Sequence, residues 1–497
     1  MCYCTLYFLE VLKKRISSFS SISNRGLKPW LVFFLLNFIP LTFFTIGYWP
    51  GNFSPDGSTM WSQAVGINTI SRVHSATVIL LMRLCFKIYM YPYSFVIFQS
   101  LCFSSLFAFI LNRLHKQGWK VSSLICISFV TAIIPSTYGM LSHLKATVFH
   151  IAILWVVYLL IIQWQNPVRF YKSPKNIAAF GFSVACVYLF RRNGFMIMIP
   201  CVVSLFCIIK VLSVRKMIKP VSSLVLSIII IIIVEGPIFS AMGVYPDTAE
   251  GNLMSTAVAK PLLSLYATDK YLPDDILDVM DNMLPLEYWK ERYDRSNFDP
   301  FYWGDPRPSL SIPNNEAIII YLRILKMYPA QVISNRLDGI NFFWNLIDPD
   351  WALLPVNSNW VYEGFIEQHS EWVKQEWVLN DFAFRNSENP LRFYSDGLRN
   401  ISYRYPLIRS LVWQDGIFVC LSFLLLIHAI AQKKRGIVIS ILTLFALALP
   451  YIFYQHWQHV EYTWFYPLCT IMILLFVISP YEESNNDGSY SACAKTQ

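Results

Sequence analysis

Long apolar runs alternate with short polar segments over most of this chain. About ten of these runs approach the ~20 residues that a membrane-spanning helix needs. They cover residues 29–48, 93–112, 121–140, 147–164, 177–193, 194–210, 220–243, 411–431, 436–454 and 462–479. The pattern predicts a mainly α-helical, polytopic membrane protein with about ten transmembrane helices.

The distribution of lysine and arginine sets the orientation of these predicted spans. Basic residues precede the first run and cluster after alternate runs, as in 113–120 and 433–435. Because cytoplasmic loops carry the excess of basic residues, we expect both termini in the cytoplasm. A further apolar stretch, 74–91, would invert every later loop if it crossed, and its Arg83 and Lys87 share one helical face. We expect it to lie along the outer surface as an amphipathic helix.

The predicted spans divide the chain into five parts. They are a retained cytoplasmic tail, an N-terminal transmembrane module, an external domain, the C-terminal transmembrane helices and a second cytoplasmic tail: 1–28, 29–243, 244–410, 411–479 and 480–497. The N-terminal module includes an external first loop, 49–92. The third part, of about 165 residues, has the size of a domain, and its apolar spacing predicts a mostly helical structure.

Composition, charge and cysteine positions agree with a membrane protein and argue against other kinds of protein. Hydrophobic residues make up 55% of the chain and charged residues only 14%, which is too apolar for a soluble protein of this length. The net charge of +9 arises from basic segments between apolar runs, so we exclude nucleic acid as a partner. None of the 11 cysteines falls in the predicted external domain, which excludes a disulfide framework there.

A lone carboxylate, Asp56, follows the first predicted span. The segment 47–57 around it is rich in glycine, proline and aromatic residues, which favour a tight turn at the membrane surface. An acid held there is a candidate catalytic base. Alternatively, Asp56 is an Asx-turn residue or the N-cap of a helix that follows.

Polar residues gather at the predicted external ends of several spans. They are His74, Lys145, Arg191, Arg192 and Asn193. A charge at membrane depth costs roughly 2.5 to 3.5 kcal/mol, so the arginines need an anionic partner or water. Paired arginines with a lysine are suited to a phosphate group. Alternatively, the arginines reach the interface merely as the snorkelling end of a helix.

A second polar cluster precedes the last predicted span. It consists of His456, His459 and Glu461, which could hold a divalent ion if they lie on a helix. Alternatively, these side chains line a wet cavity. No cofactor is required by the sequence, although a divalent metal fits this spacing.

The order of these parts resembles the bacterial membrane glycosyltransferases of the GT-C superfamily, especially the O-antigen-modifying branches. The resemblance covers most of the chain. It rests on Tyr-x-Pro-Gly-x-x-Ser-Pro-Asp after the first span, the His-led surface helix, an outward Arg-x-Asn-Gly, the external domain and a final Glu-Tyr-x-x-x-Tyr-Pro.

The resemblance implies an enzyme of the bacterial inner membrane with a periplasmic active site. It would move a sugar from a polyprenyl-phosphate donor to a surface glycan or a lipid-linked acceptor, with inversion at the sugar. Asp56 would be the base, and Lys145, Arg191 and Arg192 would surround the donor phosphate. We expect His74, Asn193, His456, His459 and Glu461 to contact the substrates as well.

Two other classes share some of these features. An O-antigen polymerase or ligase also uses external arginine and histidine residues with a large external loop, but it does not explain an acid directly after the first span. A transporter of lipid-linked saccharides would place polar residues in the middle of its spans, and the spans here are mostly apolar between their ends.

Overall fold

The structure of this protein is a computed structural model that describes part of the chain. The described residues are 28–47, 55–71, 74–89, 93–133, 145–209, 218–245, 253–294, 298, 300–301, 304–309, 312–339, 404–405, 415–454 and 465–479. They are almost all helical and include no β-strand; one isolated parallel bridge joins Ser71 to Tyr245. The prediction of a mainly α-helical protein is confirmed.

Five helices form the N-terminal part: α1 Pro29–Gly47, α2 Pro55–Val65, α3 Ala76–Ile88, α4 Tyr93–Lys116 and α5 Val121–Ile133. The first packs against both α4 and α5. The buried Asn37 amide of α1 donates to Ser128 Oγ of α5 at 2.5 Å, so the polar group is satisfied within the bundle.

The next helices build the centre of the bundle: α6 Lys145–Gln165, α7 Pro167–Lys172, α8 Pro174–Phe190, a 3-10 helix Arg192–Ile197, α9 Met198–Ile209, α10 Ile218–Ile233, a π-helical turn Val234–Ile238 and α11 Phe239–Ala241. Helix α6 contacts α4 and α8 and is buried along nearly its whole length. In contrast, α10 packs only one face against α8 and exposes isoleucines such as Ile229, Ile232 and Ile233. Such a face suits lipid.

Five helices belong to the predicted external domain: α12 Leu253–Ala267, α13 Asp274–Met283, α14 Leu286–Glu291, α15 Asn314–Met327 and α16 Pro329–Gly339. They enclose their own core, in which Trp289, Phe298 and Phe301 are fully buried. The described part of this domain is therefore helical, as the apolar spacing predicts.

Three helices complete the bundle: α17 Gly416–Ala431, α18 Arg435–Tyr454 and α19 Phe465–Val477. Helices α18 and α19 pack on α6, and α18 also contacts α9 and the 3-10 helix. The last two described helices thus pack on α6 in the centre of the bundle.

The described helices support the assignment to a membrane protein. They do not establish the predicted number of crossings. Three helices, Tyr93–Lys116, Ala146–Gln165 and Ile218–Ala241, are long and apolar enough to cross a bilayer. A fourth span results if α15 and α16, which meet at 111°, count as one broken segment. Shorter apolar helices of 10–17 residues occupy most of the other predicted runs, so a total of about ten crossings remains a prediction.

Candidate functional site

A compact group of buried residues joins the elements that carry the predicted site. This group, which we call the minor core, takes its members from six segments: Met60, Trp61, Ala64, Ile70, Ala76, Val78, Ile79, Met82, Cys85, Phe95, Val148, Phe239 and Val244. Phe190, the last residue of α8, packs against it. The last two turns of α2, most of α3, the start of α6 and the end of α8 therefore meet in one region.

Asp56 lies in the first turn of α2. The helix begins at Pro55, whose fixed φ suits the first helical position, so Asp56 is the second residue of the helix and not its N-cap. The positive end of the helix dipole favours an ionised carboxylate at that position. The Asp56 side chain is outside the described part; its backbone lies about 6 Å along the axis from the buried Met60.

Helix α2 is fixed in place by its neighbour α3. Trp61 is fully buried and meets the ring of Phe86 edge-on, with centroids 5.5 Å apart. Arg83 donates from Nε to Ala64 O and from Nη2 to Gln63 O, both at 3.0 Å. These bonds satisfy carbonyls in the last turn of α2, where helical partners end. A cation of the predicted surface helix thus holds the helix that carries Asp56.

His74 precedes the N-cap of α3 and comes close to the end of α8. The neighbouring Ser75 accepts a hydrogen bond from Val78 N at 3.3 Å and donates one to Leu189 O at 2.7 Å. Leu189 is two residues before Arg191, so the backbone at the half-buried His74 lies close to the end of α8.

Arg191 connects the end of α8 to the start of α6. It is the C-cap of α8, and its guanidinium carbon lies 5.9 Å from the centroid of the Phe149 ring. Phe149 is one helical turn after Lys145, the first residue of α6. The side chain of Lys145 is outside the described part, but its backbone places it at the same end of the bundle as Arg191.

The chain turns sharply after Arg191. Arg192 is the first residue of the 3-10 helix and is exposed, whereas Gly194 is buried. A Cβ at Gly194 would approach Val187 O to 2.2 Å, so only glycine allows this close packing against α8. The side chain of Asn193 is outside the described part.

The three residues of the second predicted cluster, His456, His459 and Glu461, lie outside the described residues. The chain is described again from Phe465, whose ring centroid is 6.5 Å from that of Phe149 and 5.5 Å from that of His150. The helix after the cluster therefore starts beside the helix that Arg191 contacts.

Two polar residues near this region escaped the sequence analysis. His150 is fully buried in α6, between Phe149 and Phe465. Glu235 is half-buried in the π-helical turn, and its neighbour Val234 packs on the minor core. Pro237 lacks a backbone donor, which accounts for the widened turn. A single acid within an apolar run was the signal that could have revealed Glu235.

The helices that carry several of the predicted site residues meet at the minor core. Asp56 is at a helix start, and Lys145, Arg191 and Arg192 are at the ends of two helices that reach the same minor core. Within the described residues, no group of three His, Cys, Asp or Glu side chains could hold a metal ion. No protein-family model, curated protein or solved structure matches this chain.

Proposed function

We propose that this protein is an integral-membrane glycosyltransferase of the GT-C type, with about ten membrane crossings. It would transfer a sugar from a polyprenyl-phosphate donor to a surface glycan or lipid-linked acceptor on the periplasmic face of the bacterial inner membrane. The observation that carries the proposal is the meeting of α2, α3, α6 and α8 at the minor core.

The proposed reaction divides the work between one acid and several cations. Asp56 takes the proton of the acceptor hydroxyl while the hydroxyl oxygen bonds to the anomeric carbon of the sugar. The bond from that carbon to the phosphate oxygen breaks, and the lipid phosphate leaves with the electron pair. Lys145, Arg191 and Arg192 stabilise the departing anion, so the transfer requires no redox cofactor.

The half-buried position of Arg191 supports this division. A guanidinium against the Phe149 ring is partly desolvated, and electrostatic interactions strengthen as water is excluded. A phosphate that approaches the end of α8 would meet Arg191 and the more exposed Arg192 together. Arginine is preferred for such contacts because its planar fork matches phosphate oxygens.

Replacement of Asp56 tests the proposal. Asp56→Asn keeps the size and the helix start but removes the basicity, so transfer by purified protein supplied with polyprenyl-phosphate sugars should fall by roughly 10²- to 10⁴-fold. A matched control is Asp274→Asn, since Asp274 also follows a proline at the start of a helix but lies in the external domain. The control should retain wild-type transfer.

The outcomes separate the competing classes. If Asp56→Asn is present at normal level and modifies the acceptor at the wild-type rate, Asp56 is not the base and the mechanism is wrong. If the wild type elongates or ligates lipid-linked glycans but transfers no single sugar, a polymerase or ligase replaces the proposal. Movement of intact lipid-linked saccharide across vesicles, without transfer, would identify a transporter.

A further inference from the structure

Helices α15 and α16 form an apolar corner of the external domain, which we call the elbow. Exposed large hydrophobic side chains occur on no other described helix of this domain. On α15 they include Ile318, Ile319 and Leu322, which are 43%, 56% and 57% exposed, and on α16 Ile333 is 52% exposed. Helix α13, in contrast, exposes acids such as Asp278. The apolar surface is therefore a local feature of the elbow.

Helix α15 has two apolar faces, and the domain core uses only one of them. Ile320 and Ile324 are buried in that core. Ile318, Ile319 and Leu322 fall within about 100° of one another on a different side of the helix, at 3.6 residues per turn. A helix at the surface of a soluble domain presents polar residues outward. A contiguous exposed apolar patch indicates instead a surface that meets a partner or a membrane.

The elbow is held to the rest of the domain by hydrogen bonds. Tyr328, between the two helices, accepts from Val332 N at 3.0 Å through its carbonyl, and its hydroxyl donates to Tyr271 O at 2.6 Å. Arg336, near the end of α16, donates from Nη2 to Ala257 O of α12. These bonds fix the direction in which the exposed side chains of the elbow point.

The shape of the elbow does not suit a straight membrane crossing. Helix α15 has 14 residues and α16 has 11, so each is shorter than the ~20 residues that a span needs. The angle of 111° between them prevents the pair from crossing as one continuous rod. An apolar element of this length and shape suits the surface of a bilayer.

Two observations point to lipid as the partner of this face. The elbow adjoins the helix bundle, because α16 and its neighbour α12 both contact α18. In addition, the stretch 317–337 contains basic residues but no acid. Lys326 is exposed one turn after Leu322, so its ammonium group can reach headgroup phosphates while the apolar side chains meet the acyl chains.

We propose that the elbow docks on the membrane leaflet next to the external domain. Ile318, Ile319, Leu322 and Ile333 enter the boundary between headgroups and acyl chains, and Lys326 lies at the level of the phosphates. The contact sets the position of the external domain relative to the bilayer. It does not depend on the proposed sugar transfer.

Quenching by brominated lipids in the full-length protein tests this contact. On a background without native cysteines, an environment-sensitive fluorophore is attached to Leu322→Cys or Ile333→Cys. In nanodiscs whose phosphatidylcholine carries bromine near the top of its acyl chains, both reporters should lose fluorescence relative to ordinary phosphatidylcholine. The matched reporter is Glu287→Cys, which is exposed on α14 of the same domain and should show no loss.

A charge on the apolar face should weaken the contact seen from the other helix. Leu322→Glu should reduce the quenching of a reporter at Ile333→Cys, because a carboxylate is disfavoured among acyl chains. Leu322 is exposed, so the variant should keep its melting temperature in detergent. Asn282→Glu adds the same charge to an exposed position on α13 and should leave the quenching unchanged.

Three outcomes overturn the proposal. The first is equal fluorescence of the Leu322→Cys reporter in brominated and ordinary lipid. The second is formation of disulfide-linked dimers by Leu322→Cys in proteoliposomes without quenching, which would identify a second copy of the chain as the partner. The third is slow reaction of Leu322→Cys with thiol reagents in detergent and lipid alike, which would show that another segment of the same chain covers the elbow.

Discussion

Arg191 and Arg192 are neighbours in the chain but differ in their surroundings. Arg191 is half-buried against Phe149, whereas Arg192 is exposed at the start of the 3-10 helix. A charge-assisted contact is worth more where water is excluded. The two arginines should therefore contribute unequally to any interaction with a donor phosphate.

Donor use at limiting concentration should reveal this difference. Arg191→Gln should lower kcat/KM for a polyprenyl-phosphate sugar by about 10- to 150-fold, the equivalent of one charged contact, and Arg192→Gln should have a smaller effect. The exposed Arg169 on α7 provides a control, and Arg169→Gln should leave transfer unchanged. Equal losses in the two site variants would show that burial does not decide their roles.

Burial in the external domain lowers the pKa of Lys260 on α12 to about 7, which makes a second prediction, about stability. The folded protein releases the Lys260 proton near pH 7, while the unfolded chain keeps it to its ordinary value of 10.5. The unfolded state therefore binds more protons between these values, so stability should rise with pH across this window.

Urea denaturation at a series of pH values measures this dependence. The wild type should become more stable from about pH 7 to about pH 10, whereas Lys260→Met should lack that part of the slope. The exposed Lys290 offers a control, because Lys290→Met removes a lysine that its partner Asp269 keeps charged. A slope that survives in Lys260→Met would assign it to other groups.

At the scale of elements, α2 and α3 behave as one unit. The two bonds from Arg83 close the last turn of α2, and Trp61 packs against Phe86. Asp56 is at the other end of this short helix, so its position depends on how firmly α3 holds α2.

Replacement of Arg83 should therefore affect both stability and transfer. Arg83→Gln removes charged donors to two carbonyls, at a cost of about 1.5 to 3 kcal/mol for each bond, and should lower the melting temperature. The kcat for sugar transfer should also fall, and by more than the loss of folded protein explains, because a displaced base is no longer aligned with the acceptor hydroxyl. Lys87→Gln, an exposed change on the same helix, should alter neither. If Arg83→Gln has a lower melting temperature but the wild-type kcat, Arg83 has only a structural role.

At the scale of the whole molecule, the predicted topology places the two ends of the bundle in different compartments. On a background without native cysteines, Ser309→Cys in the external domain should react with an impermeant thiol reagent in intact spheroplasts. Gln432→Cys, between α17 and α18, should react only after lysis. Both positions are exposed in the structure, so their reaction with the reagent depends on which side of the membrane they lie. If position 309 is protected in intact spheroplasts, the predicted orientation is wrong.

The sequence by itself determined the helical class and the place of most helices. The predicted runs 93–112, 147–164 and 220–243 correspond to Tyr93–Lys116, Lys145–Gln165 and Ile218–Ala241. This prediction succeeded because a membrane-spanning helix needs about 20 consecutive apolar residues, and such a run is visible in the local sequence. The helices of the external domain also follow local signals, as in Asp274–Met283, which starts after Pro273 with two acids in its first turn.

Only the tertiary structure decided which residues from distant parts of the chain lie near one another. Ser75 meets Leu189 across 114 residues, and Arg191 meets Phe149 on another helix. Arg336 and Ala257 are 79 residues apart, and no local pattern relates α16 to α12. Such contacts depend on how whole helices pack, whereas periodicity specifies only which face of each helix is apolar. The sequence therefore supplied the candidate residues, and long-range packing selected their neighbours.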